Sequence, residues 1–110
     1  MTVAEQRVAV VTGAAQGLGL QTCLVLAQQG IQVVLTARTQ DRAEQGAASL
    51  RAQGLPLETA ALDVADAQSV AAFQEHFERR HQRLDILINN AGIQQDRYAA
   101  GPQGNSVLLA

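Results

Sequence analysis

The chain has 110 residues, less than one typical domain of about 150, which limits it to a single compact unit with a modest core. Hydrophobic residues make up 47% and charged residues 16%, a balance that excludes an intrinsically disordered chain. Net charge is −2 and the densest basic group is Arg79, Arg80 and Arg83, so neither nucleic acid nor an anionic membrane is an expected partner. Phe73, Phe77 and Tyr98 are the only aromatic residues, so the core must be aliphatic. The lone Cys23 has no intrachain disulfide partner, which fits a reducing, cytoplasmic setting. The opening MTVAEQRVAV lacks the basic flank and long apolar stretch of a signal peptide, and no window approaches the roughly 18 apolar residues of a membrane span.

Short apolar runs alternate with amphipathic stretches, the pattern of βαβ units on a parallel sheet. The β-branched run from Arg7 to Thr12 predicts a first strand that breaks at Gly13. From Gly17 to about Gln29, Leu20, Leu24 and Ala27 keep helical spacing, and Gly30 supplies a stop. Gln32 to Ala37 reads as the second strand. A polar joint over Thr39–Asp41 opens a second helix, with Ala43, Ala47 and Leu50 on one face and Gly54 after its end. Asp41 with Glu44 three residues on predicts a capping pair. Leu57–Leu62 predicts a third strand, and Asp66 then caps a third helix that carries Val70, Phe73 and Phe77. Leu84–Ile88 is the fourth strand, ending at Asn89 and Asn90.

The order β-α-β-α-β-α-β, with crossovers about a helix long, implies right-handed crossovers and a parallel sheet. After Gly92 the pattern fades. Gly101, Pro102 and Gly104 mark a loop, and Ser106–Ala110 leads toward a further element. A doubly wound sheet ordinarily continues past four strands. Residues 1–92 are therefore expected to be the N-terminal part of a larger domain, and residues 93–110 a loop leading into its remainder.

Between the first strand and the first helix lies Thr12-Gly13-Ala14-Ala15-Gln16-Gly17-Leu18-Gly19. Gly13 permits a tight exit from the strand. Gly17 lets backbone N–H groups approach a pyrophosphate, and Gly19 lets the helix sit close to the strand. The unpaired N–H groups and positive dipole end of that helix favour phosphate. No lysine follows, which excludes a Walker-type loop. A dinucleotide site ordinarily has a carboxylate at the end of its second strand, for the ribose 2′-hydroxyl. Ala37 and Arg38 stand there instead. Arg38 is either a solvated loop residue or a planar fork of donors for a phosphate, and the second reading favours NADP(H). Arg42 is placed to assist, although Asp41 beside it weakens the local field. Asp63 follows the third strand at the carboxyl edge of the sheet. It either accepts a hydrogen bond from an adenine amino group, with Val64 against the ring, or closes an ordinary turn. His76 and His81, five residues apart, form no metal site, and Cys23 reads as a core residue.

The Gly-rich turn at residues 12–19, Asp63-Val64 and Asn89-Asn90-Ala91-Gly92 together resemble the short-chain dehydrogenase/reductase family of the classical type, over residues 7–92. The stretch 33–38 is similar to the NADP-preferring, carbonyl-reductase-like members. The resemblance implies a Rossmann-type doubly wound α/β sheet of order 3-2-1-4, incomplete at four strands and three helices. It also implies hydride transfer to a small-molecule carbonyl substrate. By the same resemblance Gly13, Gln16, Gly17, Leu18 and Gly19 line the pyrophosphate turn, Arg38 meets the 2′-phosphate of NADP, and Asp63 with Val64 meets the adenine. Asn89 and Asn90 hold the central sheet, and Asn90, Ala91 and Gly92 lie beside the nicotinamide-side ribose.

The family's catalytic serine and Tyr-x-x-x-Lys pair have no counterpart. The only tyrosine, Tyr98, is followed four residues on by Pro102, and the sequence has no lysine. No catalytic residue is assigned, and the chain alone is expected to be inactive and poorly stable, with its fourth strand a bare edge. The alternatives are a stand-alone NADP(H)-binding module and a non-functional truncated fragment. The apolar ending Val107–Ala110 argues against a module that caps its own sheet.

Overall fold

The β-branched run Val8–Val11 forms strand β1 at the heart of the sheet, in a computed structural model that describes residues 6–90 and 107–109. Helix α1 (Gly17–Gln28), strand β2 (Gln32–Ala37), helix α2 (Gln40–Arg51), strand β3 (Glu58–Ala61), helix α3 (Ala67–Arg80) and strand β4 (Ile86–Ile88) follow in alternation. The strands stand in the order β3-β2-β1-β4, all parallel, as the resemblance implies. Val10 lies opposite Val34 on one side and Leu87 on the other, which places β1 between two neighbours and buries it completely.

One expectation is corrected here. The fourth strand is not a bare edge, because Val107–Leu109 forms a strand β5 antiparallel to β4. Ile86 pairs with Leu109 and Ile88 with Val107. A free strand edge presents unpaired N–H and C=O groups, and a short apolar run satisfies them by adding to the ladder. The parallel part of the sheet keeps four strands; the fifth makes it mixed.

Period-two alternation divides the strand side chains between two layers. Val11, Val33, Leu35 and Ala37 face α1 and α2, where they meet Cys23, Ala43, Ala47 and Leu50. Val10, Val34 and Ala60 face α3, against half-buried Phe73, Phe77, Leu84 and Leu87. The layers are unequal. α3 has no buried residue, and Val70 remains 38% exposed. Cys23 is fully buried in the dense layer, and burial pushes its thiol up to about 12, so it behaves as a small hydrophobe.

Local chemistry sets the element ends. Asp66 caps α3 as expected, its Oδ1 accepting from the Gln68 N–H at 2.9 Å. α2 departs from expectation: its cap is Thr39, whose hydroxyl accepts from the Arg42 N–H at 3.2 Å, and not an Asp41–Glu44 pair. Thr39 is extended, which holds its hydroxyl over the first turn. Glu44 points instead to β3, where it takes the Thr59 hydroxyl and the Arg51 guanidinium. Those two bonds, Thr59 foremost, hold its carboxyl below the usual range. β4 starts two residues later than expected, at Ile86, because the preceding Asp85 uses its own carboxylate. Asp85 accepts from the Val8 N–H at 2.8 Å and from Arg83 at 3.1 Å, while its own N–H donates to Val8 O.

The Val8 N–H, with Arg83 reinforcing it, holds Asp85 below the ordinary aspartate range of about 3.9. A lowered folded value contributes stability that is full above about pH 4 and is lost as pH falls through that folded value. Asp85→Asn is therefore expected to lower Tm at neutral pH, and the gap to wild type should close in acid. Thermal melts from about pH 7 down to about pH 2 check this, and a gap that persists unchanged at the acid end contradicts it.

Candidate functional site

The carboxyl ends of β1, β2 and β3 open on one edge of the sheet, where α/β folds gather ligands. There the turn after β1 passes through Gly13 at φ 58° and Gly17 at φ 63°, left-handed positions that favour glycine. The Ala14 N–H donates to Thr36 O at 2.8 Å and pins the turn to β2. Gln16 stands at the N-cap of α1 without using its side chain as a cap, so the first-turn N–H groups receive no bond from it. Gln16, Gly17 and Leu18 are exposed.

β4 reaches the same turn from the other side. Thr12 Oγ1 donates to Asn89 Oδ1 at 3.0 Å, and Asn90 Nδ2 donates to Gly13 O at 2.9 Å. The sheet-holding role expected of these asparagines thus has a geometry. Asn90 is 4% exposed, and Gly19 lies directly against it. A Cβ at Gly19 would sit 2.6 Å from Asn90 Nδ2 and 2.8 Å from Gly13 O. The missing side chain is what lets helix, turn and Asn90 meet. Ala91 and Gly92 lie outside the described residues, as does Tyr98.

A cavity of about 540 Å³ brings together Gly13, Gln16, Arg38, Asp63 and Val64, joined by Arg42 from α2. Gly17, Leu18, Gly19 and Asn90 do not line it. Arg38 is exposed and directly follows the buried Ala37. Asp63 closes the turn considered for it and stands at the cavity edge. Its Oδ1 closes a turn onto the Ala65 N–H at 3.0 Å, while the residue still borders the cavity. Its own N–H donates to Ser69 Oγ at 2.8 Å, which fixes the loop to α3. Sequence reasoning missed Gln45 and Gly46, which line the same cavity. The available signal was their position, three and four residues after Arg42 beside the buried face of α2.

A second cavity, about 560 Å³, opens between α3 and the sheet, with Val10, Phe73, Phe77 and Leu87 in its apolar wall. Of the turn at residues 12–19 only Thr12 reaches it, beside Asn89 at the end of β4. Among the described residues no three His, Cys, Asp or Glu side chains gather for a metal. His81 lies with Nε2 2.9 Å from Glu58 Oε1. No described helix is long and apolar enough to cross a membrane.

A family model described as short chain dehydrogenase matches residues 7–104. Human dehydrogenase/reductase SDR family member 13 is 49% identical over 89 residues, covering 79% of this chain and 24% of that protein. A metagenomic short-chain oxidoreductase in complex with NADP is 36% identical, with a TM-score of 0.66 over 74% of this chain and 37% of that one. A substituted form of actinorhodin polyketide ketoreductase with NADPH is 29% identical, with a TM-score of 0.72 over 82% of this chain and 34% of that one. The chain spans about a third or less of the length of the curated relatives it matches.

Asn90→Ala removes the side-chain donor from the Gly13 carbonyl and should lower unfolding free energy by about 1–3 kcal/mol. Gly19→Ala overpacks the same point and should cost about 1–3 kcal/mol. Because both changes disrupt one contact, the double variant is expected to lose less than the sum. Urea denaturation of the four proteins measures this, and strict additivity contradicts it.

Proposed function

The chain belongs to the short-chain dehydrogenase family, and on that premise we propose that it forms the NADP(H)-binding part of an oxidoreductase delivering hydride to a small-molecule carbonyl. The observation that carries this reading is Arg38, exposed at the cavity one residue past Ala37, where no carboxylate competes for a ribose 2′-hydroxyl. A nicotinamide cofactor supplies the hydride chemistry when bound, and this chain's residues bind and orient it. The fit rests on the donor set: an α1 N-terminus that Gln16 leaves uncapped, two arginines at one cavity, and a turn made narrow by glycine. Similarity to an oxidoreductase in complex with NADP and to a ketoreductase with NADPH supports the same cofactor.

In this reading Gly13, Gln16, Gly17, Leu18 and Gly19 shape the pyrophosphate turn, and the N–H groups of α1 hold its charge. Arg38 makes charge-assisted bonds to the 2′-phosphate. Asp63 accepts from the adenine amino group with the carboxylate oxygen not committed to Ala65, and Val64 packs on the ring. Asn90 acts on the turn through Gly13, and with Ala91 and Gly92 it borders the nicotinamide-side ribose. The general acid for the carbonyl oxygen is assigned to no residue of this chain, because the sequence has no Tyr-x-x-x-Lys pair. A cytoplasmic location suits the inert, buried Cys23.

A charge-assisted contact is worth roughly 1.5–3 kcal/mol, about ten- to a hundredfold in affinity. Arg38→Asp should therefore reverse a preference for NADPH over NADH in the protein as its gene encodes it. Calorimetric titration of both cofactors checks this. Equal affinity of the wild type for the two overturns the reading of Arg38.

A further inference from the structure

A glycine in the middle of an exposed helix costs about 0.5–1 kcal/mol relative to alanine, so Gly46 needs a reason for its place in α2. Its surroundings give one. It is buried on the face shared by Ala43, Ala47 and Leu50, and a Cβ there would stand 2.7 Å from both Cα and O of Ala15. Those are backbone atoms of the glycine-rich turn, with no flexible side chain to move aside. The two turn residues just before the contact are pinned, Ala14 by its N–H to Thr36 O and Gly13 by its carbonyl to Asn90 Nδ2. Any added side chain therefore acts on α2.

We propose that Gly46 is a positioning residue for 2′-phosphate selectivity: by letting α2 close on the turn, it holds Arg42 at the cavity beside Arg38. Arg42 and Gly46 are one helical turn apart and both line that cavity. Arg38 follows β2, whose Ala37 is hydrogen-bonded into the sheet, so it stays when α2 moves. Ordinary carbon contacts lie near 3.5–4.0 Å, so an alanine at 46 would drive α2 outward by several tenths of an ångström or more. The two guanidinium groups would then no longer converge on one phosphate, and positioning errors of this size weaken directional contacts. The adenine contacts at Asp63 and Val64 and the helix terminus of α1 belong to other elements and keep their places. The inference rests on the NADP(H) reading above.

The test titrates 2′,5′-ADP and 5′-AMP, probes that differ only in the 2′-phosphate, into wild type, Gly46→Ala, Arg42→Gln and the double variant, each in the protein as its gene encodes it. Gly46→Ala is expected to weaken 2′,5′-ADP by about three- to tenfold and leave 5′-AMP unchanged, a fraction of one charge-assisted contact. Arg42→Gln should reproduce that loss, and the double variant should add little to it. Equal losses for both probes, no loss, or fully additive losses overturn the proposal. If Gly46→Ala fails to melt cooperatively, Arg42→Gln decides: unchanged discrimination by that variant overturns it, and lost discrimination sustains it. Wild type binding both probes equally overturns the NADP(H) reading itself, a separate result from failure of the Gly46 arm alone.

Discussion

One hydrogen bond, from Asn90 Nδ2 to Gly13 O at 2.9 Å, ties the end of β4 to the turn leaving β1. Its donor Asn90 is buried, and the bond passes through space that any side chain at position 19 would occupy. Three segments far apart in sequence are locked at that point: the β1 exit, the first turn of α1 and the β4 terminus. A neutral hydrogen bond of this kind contributes only about 1 kcal/mol net, but leaving the buried Asn90 amide unpaired costs more. Its importance is geometric. It fixes the direction in which α1 points its N-terminus, just past Gln16 at the cavity wall.

The two faces of the sheet are built differently around that lock. On one face, small residues at Ala43, Gly46 and Ala47 let α2 approach the sheet and the turn, and Cys23 fills the space under α1. On the other, Phe73 and Phe77 span a wider gap, their rings 5.9 Å apart, and α3 stays half-solvated beside an apolar cavity. Charge follows the same division. The cavity at the carboxyl edge receives Arg38 and Arg42, whereas Arg80 and His81 at the end of α3 turn to Glu58.

Much of this was legible in the sequence because its signals are local. β2 falls on Gln32–Ala37 as predicted, since the β-branched and apolar residues between Gly30 and Arg38 sit in one short stretch with a stop at each end. The parallel direction of the strands followed from crossover length, and their order from the family resemblance. Arg38 and Asp63 were legible by position, each standing just past a strand at the carboxyl edge. What was not legible depended on distant partners. β5 is three residues long, too short to show a period, and it exists through pairing with β4. Thr39 displaced the Asp41–Glu44 cap because Glu44 is drawn to Thr59 and Arg51, contacts that cross from α2 to β3 and to the end of α2 itself. Nothing local in the sequence marks Gly46, and only the Ala15 backbone against it supplies the reason for a glycine there. Ala91 and Gly92 lie outside the described residues.

The central claim is that the cofactor occupies the carboxyl-edge cavity and leaves the apolar one beside α3 empty. Backbone amide shifts in a ¹H–¹⁵N spectrum, recorded as NADPH is added to the protein as its gene encodes it, address this directly. The account predicts that the largest changes fall on Gly13, Gln16, Gly17, Leu18, Arg38 and Asp63, with Phe73, Phe77 and Leu87 unmoved. Val64 borders both cavities and does not discriminate. Changes centred on Phe73, Phe77 and Leu87, with a silent glycine turn, would contradict it.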